Sequence, residues 1–232
     1  DPFPFVPEGK EARDIRVKEI FSIQVASLAK RLEKAGITNI ILGLSGGLDS
    51  ALAFLVALKT KEVLGGSPKE IFAFSLPGFG TSERTQKNAR GLAESLGASF
   101  EEIDISEGVR HQFRDISHDE NKPSLVYENA QARYRTFTLM NKANQMQGLV
   151  LGTGDLSEIA LGWNTYTGDH ISHYNVNAGI PKTLVRYLIE WVCQTEIDGR
   201  ARQALEDILA TPISPELKKS GVEISHKTEE LI

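Results

Sequence analysis

Ser45, Gly46, Gly47, Leu48, Asp49 and Ser50 form a Ser-Gly-Gly-x-Asp-Ser corner, entered from the apolar run Ile40-Ile41-Leu42-Gly43-Leu44 and left through an Ala/Leu-rich helical pattern. This combination is suited to binding an anion. Glycines let the backbone approach an oxyanion, while successive N–H groups and the positive end of the following helix supply donors and partial charge. Phosphate is the natural guest. The corner lacks the spacing and the Lys of the G-x-x-x-x-G-K-[ST] loop and the spacing of G-x-G-x-x-G, so it belongs to neither of those nucleotide-binding classes. The structural alternative is a Gly-rich strand–turn–helix junction with no guest. Serines on both sides of the glycines, together with Asp49, weigh against it.

A second group of chemistry-bearing residues runs from Gly152 to Tyr166. Asp155 and Glu158 have the spacing of a capping box, which would simply start a short helix. A Glu158 carboxylate close in space to Asp49 would instead make a hard-oxygen site for Mg²⁺, the ion that neutralises charge when ATP phosphates move. Trp163 and Tyr166 lie among Asn164, Thr165 and Gly162, outside any clear apolar stripe. They suit stacking on a base or pyridine ring, although paired aromatics commonly serve packing. His170 and His173 have no third ligand at metal spacing and read as hydrogen-bonding loop residues. No Ser–His–Asp or Cys–His arrangement is readable.

These residues must be held by a scaffold, and the apolar pattern supplies one. Val17, Ile20, Phe21, Val25, Leu28 and Leu32 predict a helix stopped by Gly36. Strands are expected at 39–44, 71–76, 100–105 and 149–151, and helices at 51–64, 81–96 and 128–147. A further helical pattern runs from Leu184 to Val192. Strands separated by helices of this length imply right-handed crossovers. The expected fold class is α/β, an open parallel sheet with helices on both faces in a Rossmann-like three-layer sandwich. Ligands in such sheets sit beyond the carboxyl ends of the strands, where residues 45–50, 77–81 and 152–158 fall. Loops are expected at 118–124 and 215–221.

The chain has 232 residues, 41% hydrophobic and 25% charged, enough for one substantial core in one domain spanning 1–232. A net charge of -5 argues against a nucleic-acid partner, which calls for clustered Lys and Arg. No apolar run is long enough to span a bilayer, so a cytoplasmic protein without a membrane partner is expected. The single cysteine, Cys193, falls in the 184–192 helical pattern and reads as a core residue. The Pro-rich start, residues 1–10, reads as a linker.

The corner at 45–50 resembles the loop of the ATP pyrophosphatase superfamily. Beyond it, the run from Leu151 to Lys182, LGTGDLSEIALGWNTYTGDHISHYNVNAGIPK, resembles the NAD synthetase family, in particular the synthetase part of its glutamine-dependent form. So do Glu128-Asn129-Ala130-Gln131-Ala132-Arg133, Leu76-Pro77-Gly78-Phe79 and Pro4-Phe5-Val6-Pro7. The resemblance implies ATP binding by Gly43, Leu44, Ser45, Gly46, Gly47, Leu48, Asp49, Ser50, Thr153 and Lys182. It implies Mg²⁺ binding by Asp49 and Glu158, which with Lys182 form the catalytic set. It further implies binding of deamido-NAD, the nicotinate dinucleotide, by Asn129, Arg133, Glu158, Trp163, Asn164, Thr165 and Tyr166. Tyr166 and His173 stand where ammonia-dependent relatives carry Lys and Asp. Residues 225–231 resemble the start of a segment that closes over the site.

The implied reaction is ATP-dependent amidation of deamido-NAD to NAD through an adenylated carboxylate, with ammonia as nitrogen source and AMP and pyrophosphate released. The same resemblance implies a glutaminase domain as partner, preceding residues 1–10 in a longer polypeptide, and a homodimer or larger homo-oligomer. Two rivals remain at this level: another pyrophosphatase-type amidotransferase resembling GMP synthetase, and a noncatalytic adenine-nucleotide-binding module.

Overall fold

The computed structural model describes residues 4–122 and 124–211. Five strands, β1 (Ile40–Gly43), β2 (Ile71–Ser75), β3 (Ser99–Glu102), β4 (Leu149–Gly152) and β5 (Tyr174–Asn175), form one sheet in the order β3-β2-β1-β4-β5. Every pairing is parallel. The chain first builds outward from β1 to β2 and β3, then crosses back to lay β4 on the other side of β1. That reversal opens a crevice beyond the carboxyl ends of β1 and β4.

Eight helices surround the sheet among the described residues: α1 (Lys10–Ala35), α2 (Leu48–Val63), α3 (Glu83–Ser95), α4 (Ser106–Asp115), α5 (Leu125–Met146), α6 (Leu156–Leu161), α7 (Lys182–Thr195) and α8 (Gly199–Ala210). Strand side chains alternate between two cores, as the period of two requires. Ile40, Leu42, Leu149 and Leu151 join α1, α2, α7 and α8 on one face. Ile41, Phe74 and Val150 join Val109 and Phe113 of α4 and Tyr127 and Ala130 of α5 on the other. The three-layer α/β sandwich expected from the sequence is the fold observed. None of the described helices is long and apolar enough to cross a membrane.

The helix stop at Gly36 is present, with φ 64° and its N–H bonded to Glu33 and Leu32 carbonyls. The third strand ends at Glu102, earlier than the pattern suggests. Beyond it, Ile103 N–H still bonds the Ser75 carbonyl and Ile105 N–H the Pro77 carbonyl, so Ile105 packs in the core while opening α4. Helices α4 and α8 and strand β5 are additions that the apolar pattern did not mark. Residues 215–221 and 225–231 lie outside the described residues.

Candidate active site at the switch point

The corner after β1 is closed on itself by its two serines. Ser50 Oγ lies 3.1 Å from Ser45 Oγ, accepts from Ser45 N–H at 3.2 Å and donates to the Gly47 carbonyl at 3.0 Å, while Ser45 Oγ accepts from Gly47 N–H at 3.2 Å. The hydroxyls thus shape the loop. Gly46 holds φ 85°, and a Cβ there would lie 2.2 Å from the Thr85 carbonyl oxygen of α3, so only glycine fits. Gly47 is the N-cap of α2 and no side chain caps that helix. First-turn N–H groups of a helix have no intrahelical partner and favour an anion. Gly43 ends β1, and Leu44 and Leu48 point into the core, so these two can offer a ligand only their backbone.

Asp49, one residue into α2, meets Asp155, Glu158 and Lys182 across the crevice. Each of the three carboxylates offers an oxygen within 4.8 Å of the other two. Lys182 Nζ lies 2.5 Å from Asp49 Oδ2, 3.0 Å from Asp155 Oδ2 and 3.3 Å from Glu158 Oε1. Burial, offset by the Lys182 charge and reinforced by that of Glu158, pushes Asp49 up to about 7. Burial also raises Glu158. Burial works against the Lys182 ammonium, but the surrounding carboxylates outweigh it and raise its pKa. The expected meeting of Asp49 with Glu158 is present.

Asp155 caps α6 and also faces Lys182. Its Oδ1 accepts Glu158 N–H at 2.9 Å and Glu158 Oε2 accepts Asp155 N–H at 3.1 Å, a complete capping box. Its other oxygen faces Lys182. The sequence reading had assigned it only the cap, because the spacing reveals nothing of what α7 places opposite.

A buried amide relay ties the two site loops together, and sequence reasoning missed it. Asn177, fully buried, donates Nδ2 to the Asp49 carbonyl at 2.9 Å and to the Thr153 carbonyl at 3.1 Å. Gln24 of α1 donates to Asn177 Oδ1 at 3.1 Å. Asn175 Nδ2 holds the Gly154 carbonyl at 2.8 Å. One signal was available: Gln24 falls seven residues after Val17 and four before Leu28, a polar residue inside an apolar stripe.

The aromatic segment leaves α6 through Gly162, in the left-handed conformation, with Trp163 N–H on the Glu158 carbonyl at 2.8 Å. Helix α5 holds its far end: Thr165 Oγ1 bonds Asn129 Oδ1 at 2.9 Å and Arg133 Nε bonds the Tyr166 carbonyl at 3.1 Å. The inferred acceptor residues therefore form one surface, continuous through α6 with the carboxylates. Trp163 and Tyr166 are 61% and 77% exposed, so among the described residues neither packs in the core. Both histidines act as loop hydrogen-bonding residues. His170 Nδ1 lies 2.7 Å from the Thr165 carbonyl, and His173 Nδ1 accepts Val150 N–H at 3.0 Å, prolonging the β4–β5 ladder.

An open parallel sheet with a Ser-Gly-Gly-x-Asp-Ser corner and a carboxylate–lysine cluster at its switch point defines an α/β protein with the ATP pyrophosphatase fold. The chain belongs to the NAD synthase family, whose model matches residues 20–219. It is 45% identical to a glutamine-dependent NAD(+) synthetase of Mycobacterium tuberculosis over 98% of this chain and 34% of that protein. The chain thus spans about a third of the length of such curated relatives. Among solved structures it is similar to a glutamine-dependent NAD+ synthetase of Acinetobacter baumannii in complex with ADP, with TM-score 0.73, 29% identity, and coverage of 82% of this chain and 35% of that one. It is also similar to an NMN synthetase of Francisella tularensis, with TM-score 0.74, 26% identity, and coverage of 88% and 78%.

Proposed function

We propose that this chain carries out the synthetase reaction: ATP-dependent conversion of the nicotinate carboxylate of deamido-NAD into the carboxamide of NAD, with ammonia as nucleophile. The observation that carries this reading is the convergence of an uncapped helix start, three carboxylates and Lys182 in the crevice between β1 and β4. In the first half-reaction a nicotinate oxygen bonds to the α-phosphorus and the bond to pyrophosphate breaks. In the second, the ammonia nitrogen bonds to the activated carbonyl carbon and loses one proton, and AMP departs with the former carboxylate oxygen.

Each part has a role in this scheme. The N–H groups of residues 46 and 48–50 grip the pyrophosphate that leaves, and Lys182 offers its ammonium to phosphate oxygens. Thr153, on the loop after β4, contacts the nucleotide in this reading. Trp163, Asn164, Thr165 and Tyr166, backed by Asn129 and Arg133, wall in the acceptor. Catalysis is then positioning and charge neutralisation, which need no nucleophilic side chain.

The carboxylates fit a resident Mg²⁺. They are a hard-oxygen donor set, and Asp49 Oδ1 is buried with no hydrogen-bond partner. Asp49 and Glu158 would hold the ion, which when bound supplies positive charge to the ATP phosphates. We also place the enzyme in the cytoplasm as a homo-oligomer: the exposed Ile159 and Leu161 are the kind of apolar side chains that a second copy would cover. In this reading residues 1–10 join the 1–232 domain to a glutaminase domain.

Pyrophosphate release from ATP tests the reading directly. Release should require deamido-NAD, and NAD should appear when ammonia is added. Release dependent on a purine nucleotide acceptor instead would favour the GMP-synthetase-like rival, and ATP binding without turnover would favour the noncatalytic one. Nicotinate mononucleotide belongs in the same assay, because the Francisella relative is named an NMN synthetase.

A further inference from the structure

An ammonium group and a divalent cation seek the same surroundings, a cage of carboxylate oxygens. Lys182 Nζ fills the centre of the cage made by Asp49, Asp155 and Glu158, at 2.5, 3.0 and 3.3 Å from their oxygens. An ion such as Mg²⁺, which binds oxygen at about 2.0–2.1 Å, would need the volume that this ammonium occupies. Two like charges in one small cage repel strongly.

We propose that Lys182 is the resident internal cation of this cage, that a divalent ion enters only by exchange with it, and that Asp155 is a third carboxylate facing the exchanged ion. The geometry permits the exchange. Lys182 opens α7 with its backbone N–H held by Ser157 Oγ at 3.1 Å, so its base is fixed while its four-carbon stem can swing. Asp155 is wholly buried, and the capping box fixes its Oδ1, which leaves Oδ2 directed at the ammonium without a hydrogen bond of good angle. Asp49 Oδ1 is likewise buried and unpartnered. These are acceptor sites that a single ammonium does not satisfy.

The driving force rests on the phosphate-binding reading of the 45–50 corner. Asp49 stands in the first turn of the helix whose uncapped N-terminus would hold phosphate, so a bound phosphate lies within reach of the displaced ammonium. Phosphate accepts Lys182 as the metal takes its place. Metal without nucleotide must strip the lysine of three carboxylate partners and offer nothing in return, so the cage stays closed to free cations.

The test uses Mn²⁺ alone on the nucleotide-free 232-residue chain, titrated by electron paramagnetic resonance. Wild type should bind weakly and Lys182→Met at least tenfold more tightly. Adding Asp155→Asn to Lys182→Met should give back most of that gain. Equal Mn²⁺ affinity in wild type and a folded Lys182→Met overturns the proposal, as does a double variant that keeps the full gain. A second measurement on wild type covers the case of a variant that does not fold: the Lys182 side-chain ¹⁵N resonance should move when Mg²⁺ and α,β-methylene-ATP are added together. An unmoved resonance at nucleotide saturation also overturns it. Tight Mn²⁺ binding by Lys182→Met without any NAD synthesis by wild type would uphold the exchange and refute only the acceptor assigned above.

Discussion

Burial makes Asp49 a poor anion in the free protein, and that has consequences for both catalysis and stability. Its carboxyl is raised from 3.8 to about 7. A carboxyl raised on folding contributes stability that is full below the unfolded value and is lost as pH climbs through the folded one. Asp49→Asn removes this dependence. Denaturant melts from pH 4 to 7 should therefore tilt towards the variant by on the order of 1 kcal/mol per pH unit. Parallel curves would place Asp49 in a more solvated setting than the structure shows. The same Asn variant, and Glu158→Gln, should lose most pyrophosphate release while remaining folded. Trp163 belongs to this scale too. Being exposed, it has little packing to lose, so Trp163→Ala should weaken deamido-NAD by about 1–3 kcal/mol, as for bases on aromatic platforms, and leave ATP nearly unchanged. Equal weakening of both ligands would remove it from the acceptor surface. The Gly-rich corner made Asp49 legible in the sequence through residue types and spacing, whereas the pairing of Glu158 with it rested on the family resemblance, because its own spacing reads equally as a helix cap. Asn177 has none: its partners lie 128 and 24 residues away, and only the folded chain joins them.

At the scale of elements, the corner after β1 works because α3 presses against it. Gly46 needs a positive φ and the absence of a Cβ at once, since the Thr85 carbonyl fills the space where one would go. Gly46→Ala should cost about 1–3 kcal/mol of stability through strain, and more in ATP affinity, because relieving the clash must move either the loop or α3. Isothermal titration with ATP and a denaturant melt would measure the two losses. An alanine variant with wild-type ATP affinity would show that the corner does not hold the phosphates. The elements around this corner were legible where apolar residues recur over many turns, as in α1, or run continuously, as in β1 and β4. Helix α4 has just two buried side chains, Val109 and Phe113, which is too sparse a stripe to read. Strand β5 has two residues and is recruited by pairing with the end of β4 and by His173 on Val150, a tertiary event that no local pattern announces.

For the whole molecule, the open question is where the ammonia comes from. Glutamine hydrolysis of the kind implied by the resemblance needs an accessible, activated thiol. The single cysteine of these 232 residues is Cys193, which is buried in α7 beside the Arg202 carbonyl, and burial pushes its thiol pKa up, away from the reactive thiolate. Its neighbours Leu184, Leu188, Ile189 and Val192 pack in the core on the α1–α2 face of the sheet, on the opposite side from α4 and α5. On the proposed reading this chain uses ammonia and, with its single thiol buried, does not release it from glutamine by thiol chemistry. Purified chain supplied with ATP, Mg²⁺ and deamido-NAD should make NAD with ammonium chloride and make none with glutamine freed of ammonia. Cys193→Ala should leave the ammonia-supported rate within about twofold, because a small buried thiol is replaced without opening a large cavity. Glutamine-supported NAD synthesis, abolished by Cys193→Ala, would contradict both the buried, unreactive thiol and the assignment of this domain to the synthetase step alone.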